Sequence, residues 1–293
     1  MAEIDYIVPM VFHSDTLWRE TFRKVGRVYD ESNIFDFVRY RSWGTEELLI
    51  KCVRKFMPWV RNIYIILAQE SQVQNWMIDA GLNIVFHRDF IPKEFLPIFN
   101  SRGIEMFLKD IPNISDKFLY GNDDMFPLSP LSEEDFFVDG KPCIHMTEKV
   151  FPENPNNFQM ACICGLNFVA KEFGKQFSDK WYKNGHSIAP ILKSTCEHLW
   201  ERGADEIRNS ITPFRETKNF NQYIYSWWQF LSGEYVDKAP KRQYVSTKNS
   251  LGDIVTAIQN SEGIVCVNDN ECVQDYMKYG MYVRKAIEEK LNN

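Results

Sequence analysis

The regular alternation of short apolar strands with amphipathic helices is the feature that most restricts the fold of this chain. Ile63–Leu67 is an unbroken run of isoleucine, tyrosine and leucine, and Asn83–Phe86 and Lys117–Tyr120 are further short apolar segments. A helical pattern over Thr45–Phe56 separates them from a first strand, predicted over Ile4–Val11. Strands that alternate with helices form a mostly parallel sheet with helices on both faces. We therefore predict an α/β fold.

The pattern is less regular after this region. We predict helices over 71–80, 101–109, 173–183, 220–232 and 274–291, one or two more within 188–207, loops over 126–157, and strands over 160–170 and 263–267. The 293 residues fit one domain. Within it we expect residues 1–171 and 251–293 to form the α/β core, and residues 172–250 to form a smaller helical lobe.

Charge and apolar pattern exclude several classes of function. The net charge of −6 argues against nucleic acid as the main partner, because binding to phosphate backbones needs a basic excess. No apolar run approaches the roughly 20 residues that a membrane span needs. The seven scattered cysteines indicate free thiols in a reducing compartment. We expect a cytoplasmic protein without a transmembrane segment, with at most a peripheral contact at the inner face of the cell membrane.

Two acidic clusters follow two of the predicted strands. Asn122, Asp123 and Asp124 end the stretch FLYGNDD, and Asn268 and Asp269 end IVCVND. In a parallel sheet, ligands bind outside the carboxyl ends of the strands. Paired oxygen ligands there suit a divalent cation, Mg²⁺ or Mn²⁺, that also holds a diphosphate. For either cluster taken alone, a solvated turn is the more common explanation, so the pattern leaves both interpretations open.

Basic residues and one histidine complete the set of candidate groups. Arg41 precedes the first clear helix and Arg215 lies in TPFRETKN between two helices. Arginine binds phosphate oxygens with two parallel hydrogen bonds, although a surface ion pair is the common role of a single arginine. His186 lies on a predicted loop in GHSIAP, where it is either a general base or an ordinary polar residue.

The order of several motifs resembles the Stealth family. The stretch RYRSWGTEELLIKCVRKFMPWVRNIYIIL, followed by LPIFNSRGIEMFLKDIPNISDKFLYGNDDMF, is similar to the second conserved block of that family. GHSIAP, ITPFRETKNFNQYIYSWWQF and IVCVNDN resemble its later blocks, so the resemblance spans residues 4–270. The family's first conserved block corresponds here to IDYIVPMVFHSDTLW, in which Phe12 and His13 replace the usual acid or amide and the glycine. In the second block, Ser42 replaces an aspartate that usually follows the arginine.

The resemblance implies a function. Stealth proteins are hexose-1-phosphate transferases of bacterial capsule and exopolysaccharide synthesis, and they are related to the N-acetylglucosamine-1-phosphotransferase of mannose-6-phosphate tagging. The implied reaction transfers a sugar-1-phosphate from a nucleotide-sugar donor to a hydroxyl of a glycan or oligosaccharide acceptor. A phosphodiester forms and nucleoside monophosphate leaves.

The resemblance also implies roles for individual residues. The catalytic group comprises Asp123, His186, Arg215 and Glu105, which stands eighteen positions before Asp123. The substrate-binding group comprises Arg41, Asn100, Ser101, Asn122 and Asn268, with Asn100 and Ser101 at the start of a helix. The metal ligands are Asp124 and Asp269 for a divalent cation, Mg²⁺ or Mn²⁺.

Two other functions fit the same residues. A metal-dependent glycosyltransferase would use the same donor and cation but release nucleoside diphosphate. A non-catalytic member of the family would bind a glycan or nucleotide without turning it over.

Overall fold

A five-stranded sheet forms the centre of the molecule in the computed structural model, which describes residues 3–27, 38–269 and 275–292. Its strand order is β10-β4-β1-β2-β3, with the first four chain-order strands parallel and β10 antiparallel to β4. These strands are β1 (Ile4–Pro9), β2 (Ile63–Leu67), β3 (Asn83–Phe86), β4 (Lys117–Tyr120) and β10 (Ala189–Leu192). The predicted mostly parallel α/β sheet is thus confirmed.

A second sheet of three strands begins directly after the first acidic cluster. It contains β5 (Met125–Pro127), β11 (Arg242–Ser246) and β12 (Ile264–Asn268), in the order β11-β12-β5. Strand β12 runs antiparallel to β5 and parallel to β11. Residues 121–124 therefore connect the two sheets, and the end of β12 lies beside this connection. Two small antiparallel pairs complete the strands: β6 (Phe137–Val138) with β7 (Lys141–Pro142), and β8 (Met146–Val150) with β9 (Lys180–Asn184).

Helices cover the sheets. They are α1 (Thr16–Lys24), α2 (Glu46–Phe56), α3 (Asn75–Asp79), α4 (His87–Phe90), α5 (Ser101–Glu105), α6 (Asn157–Ala170), α7 (Lys193–Ser210), α8 (Tyr223–Ser232), α9 (Leu251–Gln259) and α10 (Tyr276–Asn292). Helix α2 has two glutamates in its first turn and two basic residues in its last, which suits the helix dipole. None of the helices in these described ranges is long and apolar enough to cross a membrane.

The main sheet separates two apolar cores. Alternate side chains of β1 enter opposite cores: Tyr6 and Val8 pack with α2 on one side, and Ile7 packs with α6 and α8 on the other. All five residues of β2 are buried. This arrangement confirms that the apolar run of β2 is covered on both faces.

Three sequence-based assignments are wrong. Residues 160–170, predicted as a strand, belong to α6, and residues 173–183, predicted as a helix, end in β9. Helix α6 is apolar on most of its surface, so it lacks the one-sided pattern that distinguishes a helix from a buried strand. Its capping box, Asn156 with Gln159, was the overlooked signal. The predicted loops over 126–157 contain most of β5 and all of β6, β7 and β8.

The segment 172–250 contains more than helices. It includes α7 and α8, but β10 lies within it and forms one edge of the main sheet, and β11 joins the second sheet. Our division of the chain into a core and a lobe stays a prediction.

Gly121 has no room for a side chain. A Cβ there would lie 2.2 Å from the hydroxyl oxygen of Tyr6, which is fully buried on the neighbouring strand. We expect Gly121→Ala to lower the free energy of unfolding by about 1–3 kcal/mol, because the ring must shift within a packed core. Denaturant unfolding measures the effect. Gly252→Ala, in α9, is the control, since its Cβ would meet only Ser250 Oγ at 3.8 Å. Equal stability of the two variants would contradict the close approach.

Candidate active site

A cavity of about 470 Å³ opens where the carboxyl ends of β1, β4 and β12 meet. Nine of the eleven predicted site residues line it: Arg41, Ser101, Asn122, Asp123, Asp124, His186, Arg215, Asn268 and Asp269. Glu105 and Asn100 do not line it, and both are buried behind its wall. The cavity therefore brings together residues that are as far as 228 positions apart in the chain.

Asp124 connects the two sheets and the loop between β9 and β10 that carries His186. Its Oδ2 accepts hydrogen bonds from Asn268 Nδ2 at 2.9 Å and Cys266 Sγ at 3.3 Å, and lies 3.6 Å from His186 Nε2. Burial opposes ionisation, but these partners hold the pKa of Asp124 below its usual value. The other oxygen, Oδ1, is buried and has no hydrogen-bond partner in the described structure. A buried carboxylate oxygen without a donor is a position where a bound cation would fit.

Asp123 is in a different electrostatic state from its neighbour. Burial, and after it the nearby Asp124 and Glu46 carboxylates, raise the pKa of Asp123 to about 8. Glu46 is the first residue of α2, is 6% exposed, and lines the same cavity. Three carboxyl groups that share one site repel each other when ionised, and a cation would relieve that repulsion.

The raised pKa of Asp123 predicts a pH-dependent difference in stability. The pKa of Asp123 in the folded protein, about 8, lies above its value in the unfolded chain, so the folded state holds the proton more tightly. The contribution of this group to the free energy of unfolding is therefore lost as pH rises toward 8. Asp123→Asn removes the titration. In chelator, we expect the unfolding free energy of the variant relative to wild type to rise by about 3–4 kcal/mol between pH 5 and pH 8.

Chemical denaturation at several pH values measures this difference. Asp205→Asn is the control, because the Asp205 side chain is 92% exposed. A difference between Asp123→Asn and wild type that does not change with pH would contradict the assigned pKa.

Arginines line the same cavity as the carboxylates. Arg41 donates to both oxygens of Asp269, through Nε and, at 2.5 Å, through Nη2. Burial first, and then repulsion from Arg215, lower the pKa of Arg39, which also lines the cavity. Arg215 Nη2 donates to Ser101 Oγ at 2.9 Å. Guanidinium groups this close to each other favour an anion between them.

Asn100 fixes the loop that carries Arg215. Its side chain accepts from the backbone N–H of Arg102 and so caps α5. Its amide donates to Asn219 Oδ1 at 2.9 Å and to the carbonyl of Phe214 at 3.3 Å. The predicted helix through Lys109 ends at Glu105 instead.

Glu105 lies inside the protein against α8. Its carboxylate accepts from the backbone N–H of Gln222 at 2.7 Å and from the Tyr120 hydroxyl at 3.2 Å. Burial raises the pKa of Glu105, and the Gln222 hydrogen bond opposes that rise. These contacts connect the end of β4 to the start of α8, which follows the Arg215 loop.

His186 lies on the loop between β9 and β10, as the sequence predicted. Its Nδ1 lies 3.4 Å from the Tyr223 hydroxyl, and its Nε2 faces Asp124. The side chain is 28% exposed. A histidine held between a hydroxyl and a carboxylate, with access to solvent, can accept a proton from a bound hydroxyl group.

Sequence reasoning missed two residues of this site. Glu46 occupies the first turn of a helix, where an acid is expected for electrostatic reasons alone, so it carried no separate signal. Cys266 was noted only as a cysteine, yet its Sγ, Asp124 and His186 place potential ligand atoms within 4.8 Å of one another. The position of Cys266 two residues before Asn268 was the signal available.

Comparison with known proteins gives a match over the segment that carries several of these site residues. A family model described as Stealth protein CR2, conserved region 2, matches residues 39–144, which include Arg41, Glu105 and Asp123. The chain is 30% identical to the receptor polysaccharide phosphotransferase WefC of Streptococcus gordonii, over 94% of this chain and 92% of that protein. It is 29% identical to the capsular polysaccharide phosphotransferase WcwK of Streptococcus pneumoniae, over 98% of this chain and 96% of that protein. A capsular polysaccharide phosphotransferase of Actinobacillus suis is 30% identical to the chain, over 81% of this chain and 67% of that protein.

Proposed function

The chain belongs to the Stealth family and is a phosphotransferase, and on that premise we propose the reaction that it catalyses. It transfers a sugar-1-phosphate from a nucleotide-sugar to a hydroxyl of a glycan, in the synthesis of a capsular or related surface polysaccharide. Relatives named as capsular and receptor polysaccharide phosphotransferases support this assignment. The free cysteines of the described structure and the nucleotide-sugar donor support a cytoplasmic reaction.

The presence of both carboxylates and guanidinium groups in one cavity is the observation that carries the proposal. Asp123, Asp124 and Glu46 line the same cavity as Arg39 and Arg215. A diphosphate that is bridged by a divalent cation offers both the positive charge that the carboxylates need and the oxygens that the arginines bind. Phosphoryl transfer depends mainly on positioning and on neutralising charge, and these groups supply both.

The residues fit a divalent cation, Mg²⁺ or Mn²⁺. Asp124 Oδ1 is buried without a partner, and the pKa of Asp123 is raised in a site that it shares with two other carboxyl groups. Asp124 and Asp123 would hold the ion, which would supply positive charge to the diphosphate and the leaving group. The role of Asp269 as a ligand stays a prediction: both its oxygens accept from Arg41, so it would share them with the ion.

The arginines act on the phosphate oxygens. Arg215 is exposed at the cavity and fixed by Ser101, and Arg41 is fixed by Asp269. As the bond to the leaving nucleoside monophosphate breaks, negative charge moves to the bridging oxygen. Guanidinium groups that are already in position stabilise that charge without reorganising. Asn122 and Asn268 line the same cavity and would contact the donor.

His186 accepts the proton of the acceptor. The acceptor oxygen forms a bond to the phosphorus that carries the sugar, and the bond from that phosphorus to the bridging oxygen breaks. The hydroxyl proton passes to Nε2, where Asp124 stabilises the imidazolium across 3.6 Å. Glu105 and Asn100 are positioning residues: Glu105 holds the start of α8, and Asn100 holds the loop that carries Arg215.

The nature of the product tests this function. The protein is incubated with a panel of nucleotide-sugars, Mg²⁺ or Mn²⁺ and oligosaccharide acceptors, and ³¹P NMR follows the glycan product. A new phosphodiester resonance in the purified glycan is expected. A glycan that has gained sugar but no phosphorus would overturn the proposal in favour of glycosyl transfer.

A further inference from the structure

Arg242 presents a cation that no acidic side chain of the described residues neutralises. It lies on β11 and is only partly exposed, and in the described ranges no carboxylate lies within ion-pair distance of it. Its guanidinium packs flat on Gly185, where an added Cβ would lie 2.2 Å from Cζ and 2.3 Å from Nε. Partial burial of an arginine without a counter-ion costs free energy, so an external anion is its natural partner.

The position of Arg242 relates it to the proposed base. Gly185, which it covers, directly precedes His186. Arg242 is also close enough to Tyr223 for their charges to interact, and the Tyr223 hydroxyl lies 3.4 Å from His186 Nδ1. An anion bound at Arg242 would therefore lie beside the group that accepts the acceptor proton.

Tyr244 extends this region. It lies two residues after Arg242 on β11, so both side chains point to the same face of the strand. The ring of Tyr244 is 6.2 Å from the ring of His186, and the residue is 51% exposed. An exposed tyrosine ring gives an apolar face on which a sugar can stack, with a hydroxyl at its edge.

These residues are outside the cavity that holds the carboxylates. Neither Arg242 nor Tyr244 lines that cavity, whereas His186 lines it and also contacts Tyr223 and Tyr244. The histidine thus separates a region suited to the donor diphosphate from a second region with one arginine and one exposed ring. The second region is where an acceptor would reach His186.

We propose that Arg242 and Tyr244 form an acceptor subsite that binds a phosphodiester of the growing glycan. This inference rests on the proposed function, because each transfer leaves one phosphodiester in the product. An acceptor that has already been extended therefore carries the anion that Arg242 lacks, and a neutral sugar beside it stacks on Tyr244. The subsite would favour extension of existing chains over their initiation.

Kinetics with matched acceptors test the subsite. The probes are a two-repeat oligosaccharide joined by a phosphodiester, the one-repeat oligosaccharide without it, and a two-repeat analogue with a carboxylate in its place. We expect Arg242→Gln to raise KM at least about tenfold for the phosphodiester acceptor alone, because the variant loses one charged hydrogen bond to that acceptor. Arg208→Gln, exposed on α7, is the control and should change no KM.

Each outcome decides the proposal. Tyr244→Ala is expected to raise KM for all three acceptors. An Arg242→Gln effect that is equal for all acceptors, equal for the phosphodiester and carboxylate acceptors, or absent would overturn the phosphodiester subsite. Release of nucleoside monophosphate from the donor in water, without acceptor, should remain within about twofold of wild type in Arg242→Gln. If wild type forms no phosphodiester with any of the three acceptors, the proposed function itself fails.

Discussion

Asp124→Asn is expected to lower the rate of sugar-1-phosphate transfer by at least about a thousandfold, the largest effect of any single change. Asp124 contacts both the loop that carries His186 and the second sheet, the latter through Asn268. Asparagine keeps the shape but removes the negative charge. The site then loses a cation ligand and the partner of the His186 imidazolium together.

Steady-state rates with and without Mg²⁺ or Mn²⁺ measure this effect. The variant should also lose most of its dependence on the cation. Circular dichroism and thermal unfolding should show an intact fold, and Asp205→Asn, on an exposed helix surface, should keep wild-type rates. A rate of Asp124→Asn within about tenfold of wild type would remove Asp124 from the reaction.

Arg215→Lys is expected to lower kcat/KM for the donor about a hundredfold. Lysine keeps the charge but offers a single ammonium in place of two parallel N–H groups. Arg215 is exposed at the cavity, and its described side-chain hydrogen bond goes to Ser101, so lysine should cost little stability. The loss would therefore report on phosphate binding and not on folding.

The control for this variant is Arg208→Lys. Arg208 is exposed on α7, its guanidinium lies 5.8 Å from the ring of Trp200, and it does not line the cavity. We expect wild-type kinetics from it. Near wild-type kinetics from Arg215→Lys as well would show that charge alone suffices, or that Arg215 does not contact the donor.

Local patterns predicted the sheet well because its strands are short, apolar and separated by clear helices. The predicted bounds of β2, β3 and β4 match the structure. The same reasoning failed at α6, where apolar residues on most faces make a buried helix resemble a strand. It also failed at β9, whose charged and aromatic residues pair with β8 at a distance of more than thirty residues. Such pairing is set by tertiary contacts.

The candidate site was predicted through strand ends and through family resemblance. Asn122–Asp124 and Asn268–Asp269 both follow strands, and the pairing of β12 with β5 brings them together. Sequence could not predict that Arg41 binds both oxygens of Asp269, because that contact depends on how two distant segments approach. Glu105 was expected near the substrate, but the orientation of α5 directs it towards Tyr120 and Gln222.

The nucleotide released by the wild-type protein tests the central claim most directly. The protein is incubated with nucleotide-sugars, Mg²⁺ or Mn²⁺ and an oligosaccharide acceptor, and the soluble nucleotide is identified by chromatography and mass spectrometry. Sugar-1-phosphate transfer breaks the bond between the sugar-bearing phosphorus and the bridging oxygen, and this oxygen leaves with the nucleotide, so nucleoside monophosphate is the predicted product. Nucleoside diphosphate would contradict the account, because it shows that the bond between the sugar and the phosphate has been broken instead.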